Sequence, residues 1–131
     1  MKRRTPAVPR PTDSELAILR VLWDRGACTV RQIHEEFSRK RPSGYTTVLK
    51  TLQIMTEKGL VKRDEANRTH IYEAAQTEQQ TQRRLVGDLL ERAFGGSAMK
   101  LVMQALGSKK TSPEDLARIR RFLDDIEEGQ R

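Results

Sequence analysis

The sequence predicts a mainly α fold with one small β-hairpin, and three observations predict it. Apolar residues recur at helical spacing through most of the chain. Several of these runs open on a Thr followed three positions later by Glu or Gln, the arrangement that caps a helix N-terminus. Midway, Leu60 to Arg63 and Thr69 to Glu73 read instead as two short strands around a turn at 64–67. At 131 residues there is room for one domain, or for a small domain with an accessory element.

Taken in order, residues 1–11, MKRRTPAVPRP, combine Lys2, Arg3, Arg4 and Arg10 with three prolines. Such a mixture buries little and stays extended, so a disordered basic tail is expected. Thr12 and Glu15 form a capping box for a helix to about Arg25, with Leu16, Leu19, Val21, Leu22 and Trp23 as apolar surface and Gly26 as the stop. Trp23 reads as a core anchor. Thr29 and Gln32 repeat the box for a second helix to about Lys40, carrying Val30, Ile33 and Phe37. Pro42 then forces a turn.

The third helix, Ser43 to Gly59, is the centre of the reading. Projected at about 100° per residue, Tyr45, Val48, Leu49, Leu52, Met55 and Thr56 form one stripe, while Thr46, Thr47, Lys50, Gln53, Glu57 and Lys58 fall opposite. One face packs and the other is free to touch something. Ser43 is the expected N-cap and Gly59 the left-handed stop. Thr can bond a base edge or meet a thymine methyl, and Gln can bridge adenine, so the outward face has the chemistry of a DNA recognition helix. Ile54 breaks the pattern by projecting onto the polar face, and two readings of it stand: contact with a thymine methyl or sugar-phosphate edge, or packing against the hairpin or tail.

Two short helices, a third with polar groups outward and a hairpin directly after it make a winged helix-turn-helix arrangement. Arg68 falls near the hairpin tip, where a guanidinium reaches phosphate or a narrow minor groove. From Thr77, capped with Gln80, three further amphipathic helices follow. They carry Leu85, Leu89, Leu101, Val102, Leu106, Ile119, Phe122 and Leu123, more apolar surface than so small a bundle covers by itself. Either a second copy or the chain's own N-terminal half would cover it, and a second copy is favoured because most soluble oligomers are twofold dimers. The expected organisation is a tail at 1–11, a winged-helix DNA-binding domain at 12–75 and a helical dimerisation domain at 76–131.

Charge supports a polyanionic partner. The chain is formally +7, and residues 1–74 hold 15 Lys and Arg against 9 Asp and Glu, so the excess sits with the third helix. Arg39, Lys40, Arg41, Lys50, Arg63 and Arg68 are the candidate phosphate contacts, with Thr46, Thr47, Lys50 and Gln53 facing bases. Cys28 is the single cysteine, in an expected inter-helix turn, which excludes an internal disulfide or thiolate cage and fits a reducing cytoplasm near the nucleoid. His34 and His70 have no flanking ligand pattern, so no metal and no cofactor is expected. No phosphate loop, nucleophile elbow or paired-histidine motif is present, and an enzyme is not expected. No stretch approaches the apolar length that spans a bilayer.

TDSELAILRVLW, YTTVLKTLQIMTEKGLVKR, FGGSAMKLV and SPEDLARIRRFL, in this order and spacing, resemble the penicillinase-repressor family (BlaI/MecI) over most of the chain. The resemblance implies a cytoplasmic transcriptional repressor whose winged helix binds a palindromic operator as a homodimer. It also implies Thr46, Thr47 and Lys50 in the major groove and the hairpin near Arg68 on the backbone. Antibiotic-resistance members are inactivated through a membrane metalloprotease receptor by cleavage at an Asn-Phe pair; the matching positions here are Gln104 and Ala105. The C-terminal cysteines of a copper-responsive branch are missing, and the hairpin has Asn67-Arg68 where many relatives have Gly-Arg. A winged-helix module docking an acidic protein partner is the alternative reading.

Overall fold

The structure of the chain, a computed structural model, describes residues 9–66 and 68–130. Lys2, Arg3 and Arg4 of the expected tail and Asn67 of the hairpin turn lie outside the described residues. The chain divides into two compact units, Met1–Leu85 and Val86–Arg131.

The first unit holds α1 (Asp13–Arg25), β1 (Cys28–Thr29), α2 (Val30–Lys40), α3 (Tyr45–Lys58), β2 (Val61–Asp64) and β3 (Ile71–Ala74). It also holds the start of α4 (Glu78–Phe94). The three capping boxes are all formed: the Thr12, Thr29 and Thr77 hydroxyls accept from the backbone N–H of Glu15, Gln32 and Gln80, and those side chains accept in return. Each satisfies two N–H groups that a helix start leaves orphaned. Ser43, however, does not cap α3. The helix begins one residue later with Gly44 at the N-cap and no side-chain cap bond. The Ser43 carbonyl is instead bonded by His34 Nε2, at 2.7 Å, and Ser38 Oγ, at 3.2 Å, which tie the turn back onto α2. At the other end Gly59, at φ 80°, closes α3: its N–H reaches the Thr56 carbonyl and that of Leu60 reaches Met55. That pair of bonds is a Schellman motif.

A three-stranded antiparallel sheet in the order β1-β3-β2 lies beside the helices. The hairpin pairs Val61 with Ala74 through to Asp64 with Ile71, so the first strand lies one residue later than the sequence reading placed it and the second begins two residues later and ends one later. The two-residue strand β1, which pairs Cys28 with Tyr72 and Thr29 with Ile71, is an addition. Two residues are too few to leave a period-two signal. Cys28 is therefore a buried strand residue rather than a turn residue, and burial pushes its thiol pKa up, against a lowering by Arg25. A thiol held neutral and covered is a small apolar side chain, not a nucleophile.

The core joins one face of each element from α1 to β3: Ile18, Leu19 and Leu22 of α1, Cys28 of β1, Ile33 and Phe37 of α2, Val48, Leu52 and Met55 of α3, and Val61 and Tyr72 of the hairpin. Trp23 packs at its margin and donates from Nε1 to the Gln76 carbonyl at 3.1 Å, holding the segment before α4 against α1. Tyr45 departs from the expected packing stripe. It is 47% exposed and meets the His34 ring edge-on. His34 is half-buried in that contact.

The second unit contains the rest of α4, α5 (Ala98–Ser108) and α6 (Pro113–Gly129). Ser97 and Ser112 cap the latter two, with Pro113 at the first helical position, where its missing N–H costs nothing. No residue of α4, α5 or α6 is buried. No described helix is long and apolar enough to cross a membrane.

Candidate nucleic-acid interface

The helix α3 has two chemically different sides. Val48, Leu52 and Met55 are almost wholly covered, while Thr46, Thr47, Lys50, Gln53, Ile54 and Glu57 are exposed. Burial of the first set fixes the helix's rotation about its own axis, and the second set is thereby presented as one row. Two further threonines have their hydroxyls committed to the helix itself: Thr51 donates to the Thr47 carbonyl and Thr56 to Leu52, both at 2.8 Å. Thr46 and Thr47 make no such bond among the described residues, so their hydroxyls are available to a ligand. Lys50 likewise has no carboxylate partner among them.

An ion pair not anticipated from the sequence anchors the far end of α3. Glu15, 3% exposed, accepts from Lys58 Nζ at 3.0 and 2.9 Å while also accepting from the Thr12 N–H at 2.8 Å. Burial raises the Glu15 pKa, but the Thr12 N–H and the Lys58 ammonium outweigh it and hold the carboxyl below its usual value. Lys58 had been placed with the polar face; it is turned back onto the start of α1. The capping pattern located Glu15, but nothing in the local sequence said that a residue forty-three positions away would meet its carboxylate.

The remaining candidate cations have varied surroundings. Arg68 lies exposed in the loop between β2 and β3, where the Asp64 carboxylate accepts from the Ala66 N–H at 2.9 Å to shape the turn. Arg63 pairs with Glu65 and stands across the ladder from Tyr72. The Tyr72 hydroxyl, then Glu65, hold the Arg63 guanidinium above its usual pKa, although the contact with the buried hydroxyl falls short of a well-formed hydrogen bond. Arg39 bridges to Glu36 at 3.6 Å on its own helix, and Arg41 donates to Ser14 Oγ at 3.4 Å. Lys40 and Arg41 line a groove between α1 and α2 with no residue of α3. The structure thus gathers Thr46, Thr47, Lys50, Gln53 and Ile54 on one helix face and gives Arg39, Lys40 and Arg41 other neighbours. His34 and His70 belong to no cluster of metal-ligating side chains among the described residues.

The family described as penicillinase repressor matches residues 11–125. The chain belongs to that family. It is therefore a member of a family of transcriptional repressors and not an enzyme. The transcriptional regulator BlaI of Mycobacterium tuberculosis is 31% identical over 119 residues, covering 89% of this chain and 85% of that protein. Among solved structures, the DNA-binding domain of the repressor BlaI superposes with a TM-score of 0.50 at 20% identity, over 56% of this chain and 90% of that one. RosR of H. salinarum superposes at 0.52 with 16% identity, over 94% and 99%. At these identities both likenesses show the fold, a winged helix with additional helices. The mainly α architecture with a hairpin wing that the periodicity predicts is the fold this family member has.

Proposed function

We propose that this family member represses transcription by occupying palindromic operator DNA as a homodimer, with α3 of each copy in the major groove and Arg68 of the wing on the phosphate backbone. The observation that supports this best is the row of unpartnered Thr46, Thr47 and Lys50 on a helix whose reverse side is locked in the core. Thr46, Thr47, Lys50 and Gln53 face bases; Lys50, Arg68 and, on leaving Glu65, Arg63 meet phosphates. The helical second unit supplies the dimer contact through its uncovered apolar side chains. Release from the operator would follow proteolysis triggered by a membrane metalloprotease receptor; the exposed Gln104 and Ala105 of α5 stand at the matching position but are not the Asn-Phe pair cleaved in the resistance members.

Anisotropy titration of the full chain against labelled duplex from upstream of its own gene tests the reading. Each neutralised phosphate releases condensed counterion, so affinity is expected to fall steeply as salt rises. Arg68→Ala is expected to weaken binding to all sequences alike and to reduce the salt slope by about one, whereas Thr47→Ala should change the order of preference among base substitutions in the site. If neither variant alters affinity or discrimination, α3 is not the reading element.

Ile54 gives a second, sharper expectation. At 40% exposed it contributes little to the core, so Ile54→Ala should leave the melting temperature within about a degree or two while lowering operator affinity about three- to thirtyfold, the range of one well-placed apolar base contact. A lowered melting temperature with unchanged affinity would return Ile54 to a packing role.

A further inference from the structure

Between α1 and α2 runs a groove, with the candidate phosphate contacts Lys40 and Arg41 at its edge, that lies apart from the base-facing row of α3. Its wider part is a cavity of about 340 Å³ whose apolar floor is Ala17, Val21 and Phe37. A second cavity of about 190 Å³ shares Ala17, Arg20 and Arg41 with it and continues past Leu16 to Asp13. No residue of α3 or of the hairpin lines either part.

The rim is unevenly charged. Arg20, Arg25, Lys40 and Arg41 stand around the floor with Asp24 and Glu36. Glu36 is already engaged by Arg25 at 3.4 Å and Arg39 at 3.6 Å. Arg20, Lys40 and Arg41 have no carboxylate within ion-pair distance among the described residues. A groove with a narrow apolar strip of Ala17, Val21 and Phe37 and uncompensated cations beside it has a defined complement: a surface with apolar side chains on one line and carboxylates beside them. Nucleic acid matches the rim but not the floor, since a phosphate backbone offers nothing to Val21 and Phe37.

We propose that the α1–α2 groove docks an acidic amphipathic helix of a partner protein, its apolar side chains on Ala17, Val21 and Phe37 and its carboxylates on Arg20, Lys40 and Arg41. The groove shares no lining residue with α3, so the partner can be held while α3 is engaged. The proposal does not depend on the operator reading.

The test is fluorescence anisotropy of the full chain with a labelled synthetic helical peptide that has a Leu and Phe stripe and Asp and Glu elsewhere. The same peptide with Lys for every acid, and a duplex of unrelated sequence, serve as comparisons. The acidic peptide is expected to bind, the Lys peptide at least about tenfold more weakly, and Arg20→Glu and Val21→Gln each to weaken the acidic peptide about tenfold with unchanged thermal melting. Arg20→Glu should leave binding to the duplex upstream of the gene unchanged. Equal binding of the two peptides, or acidic-peptide binding indifferent to both substitutions, overturns the proposal. Binding of the unrelated duplex that Arg20→Glu weakens as much as peptide binding overturns it in favour of a nucleic-acid groove.

Discussion

Phe122→Asp combined with Leu123→Asp is expected to leave the chain monomeric and to lower its affinity for a two-half-site operator by about a hundredfold or more. Phe122 is 63% exposed and Leu123 56%, with Val102, Met103 and Leu106 also uncovered in the same unit. Fully burying such a side chain is worth about 1.5–3 kcal/mol, and on the proposed reading a second copy would recover the fraction each still leaves in water. Two α3 helices joined in this way would bind the second half-site as an intramolecular event, and avidity of about 10²–10⁴ would rest on that link alone. The substitutions touch no residue of the buried core, so the melting of the winged unit should not move. Sedimentation equilibrium and anisotropy on one duplex with both half-sites and another with one check this together. A doubly substituted chain that remains dimeric would place the dimer contact elsewhere.

How much of this was legible in the sequence depended on the range of the interaction. The helices, their threonine caps and the division of α3 into Val48, Leu52 and Met55 against Thr46, Thr47 and Lys50 are local, set within a turn or two by period and capping chemistry, and they were readable. The Ser43 cap failed because two competing donors on α2, His34 and Ser38, engage that residue's carbonyl and hold it one position outside the helix. Strand β1 was invisible because Cys28 and Thr29 become a strand only by pairing with residues more than forty positions on. Arg39, Lys40 and Arg41, candidate phosphate contacts, are consecutive in the chain, and their neighbours were not legible there. In space Arg39 turns to Glu36 and Arg41 to Ser14, since a helix end fans consecutive side chains in different directions.

The same distinction applies with most force to Glu15 and Lys58. Glu15→Ala is expected to destabilise the winged unit by about 2–3 kcal/mol, lowering its melting temperature by roughly 10–20 °C, as the cap bond to the Thr12 N–H and a largely buried charge pair are lost together. Lys58 retains some access to water, which keeps the loss below that of stranding a fully buried ammonium.

The acid limb of stability separates this pair from a surface contact. Burial disfavours the Glu15 carboxylate, yet the Thr12 N–H and Lys58 more than offset it and lower its pKa from the ordinary 4.5. A carboxyl whose folded pKa lies below the unfolded value contributes its full stabilisation above that ordinary value and loses it as pH falls through the lowered one. As pH falls below the ordinary 4.5 the parent chain should therefore lose stability relative to Glu15→Gln, which has no proton to take up. Lys58→Met should act in the same direction as Glu15→Gln: the carboxyl keeps its burial and loses its cation, its pKa rises toward or past the unfolded value, and the stability lost on acidification shrinks. Denaturant midpoints measured across this range for the three proteins decide the matter. Parallel curves for parent and Glu15→Gln would mean that Glu15 is not ionised against Lys58 in solution, and that α3 owes the position of its C-terminal end to packing of Met55 and Leu52 alone.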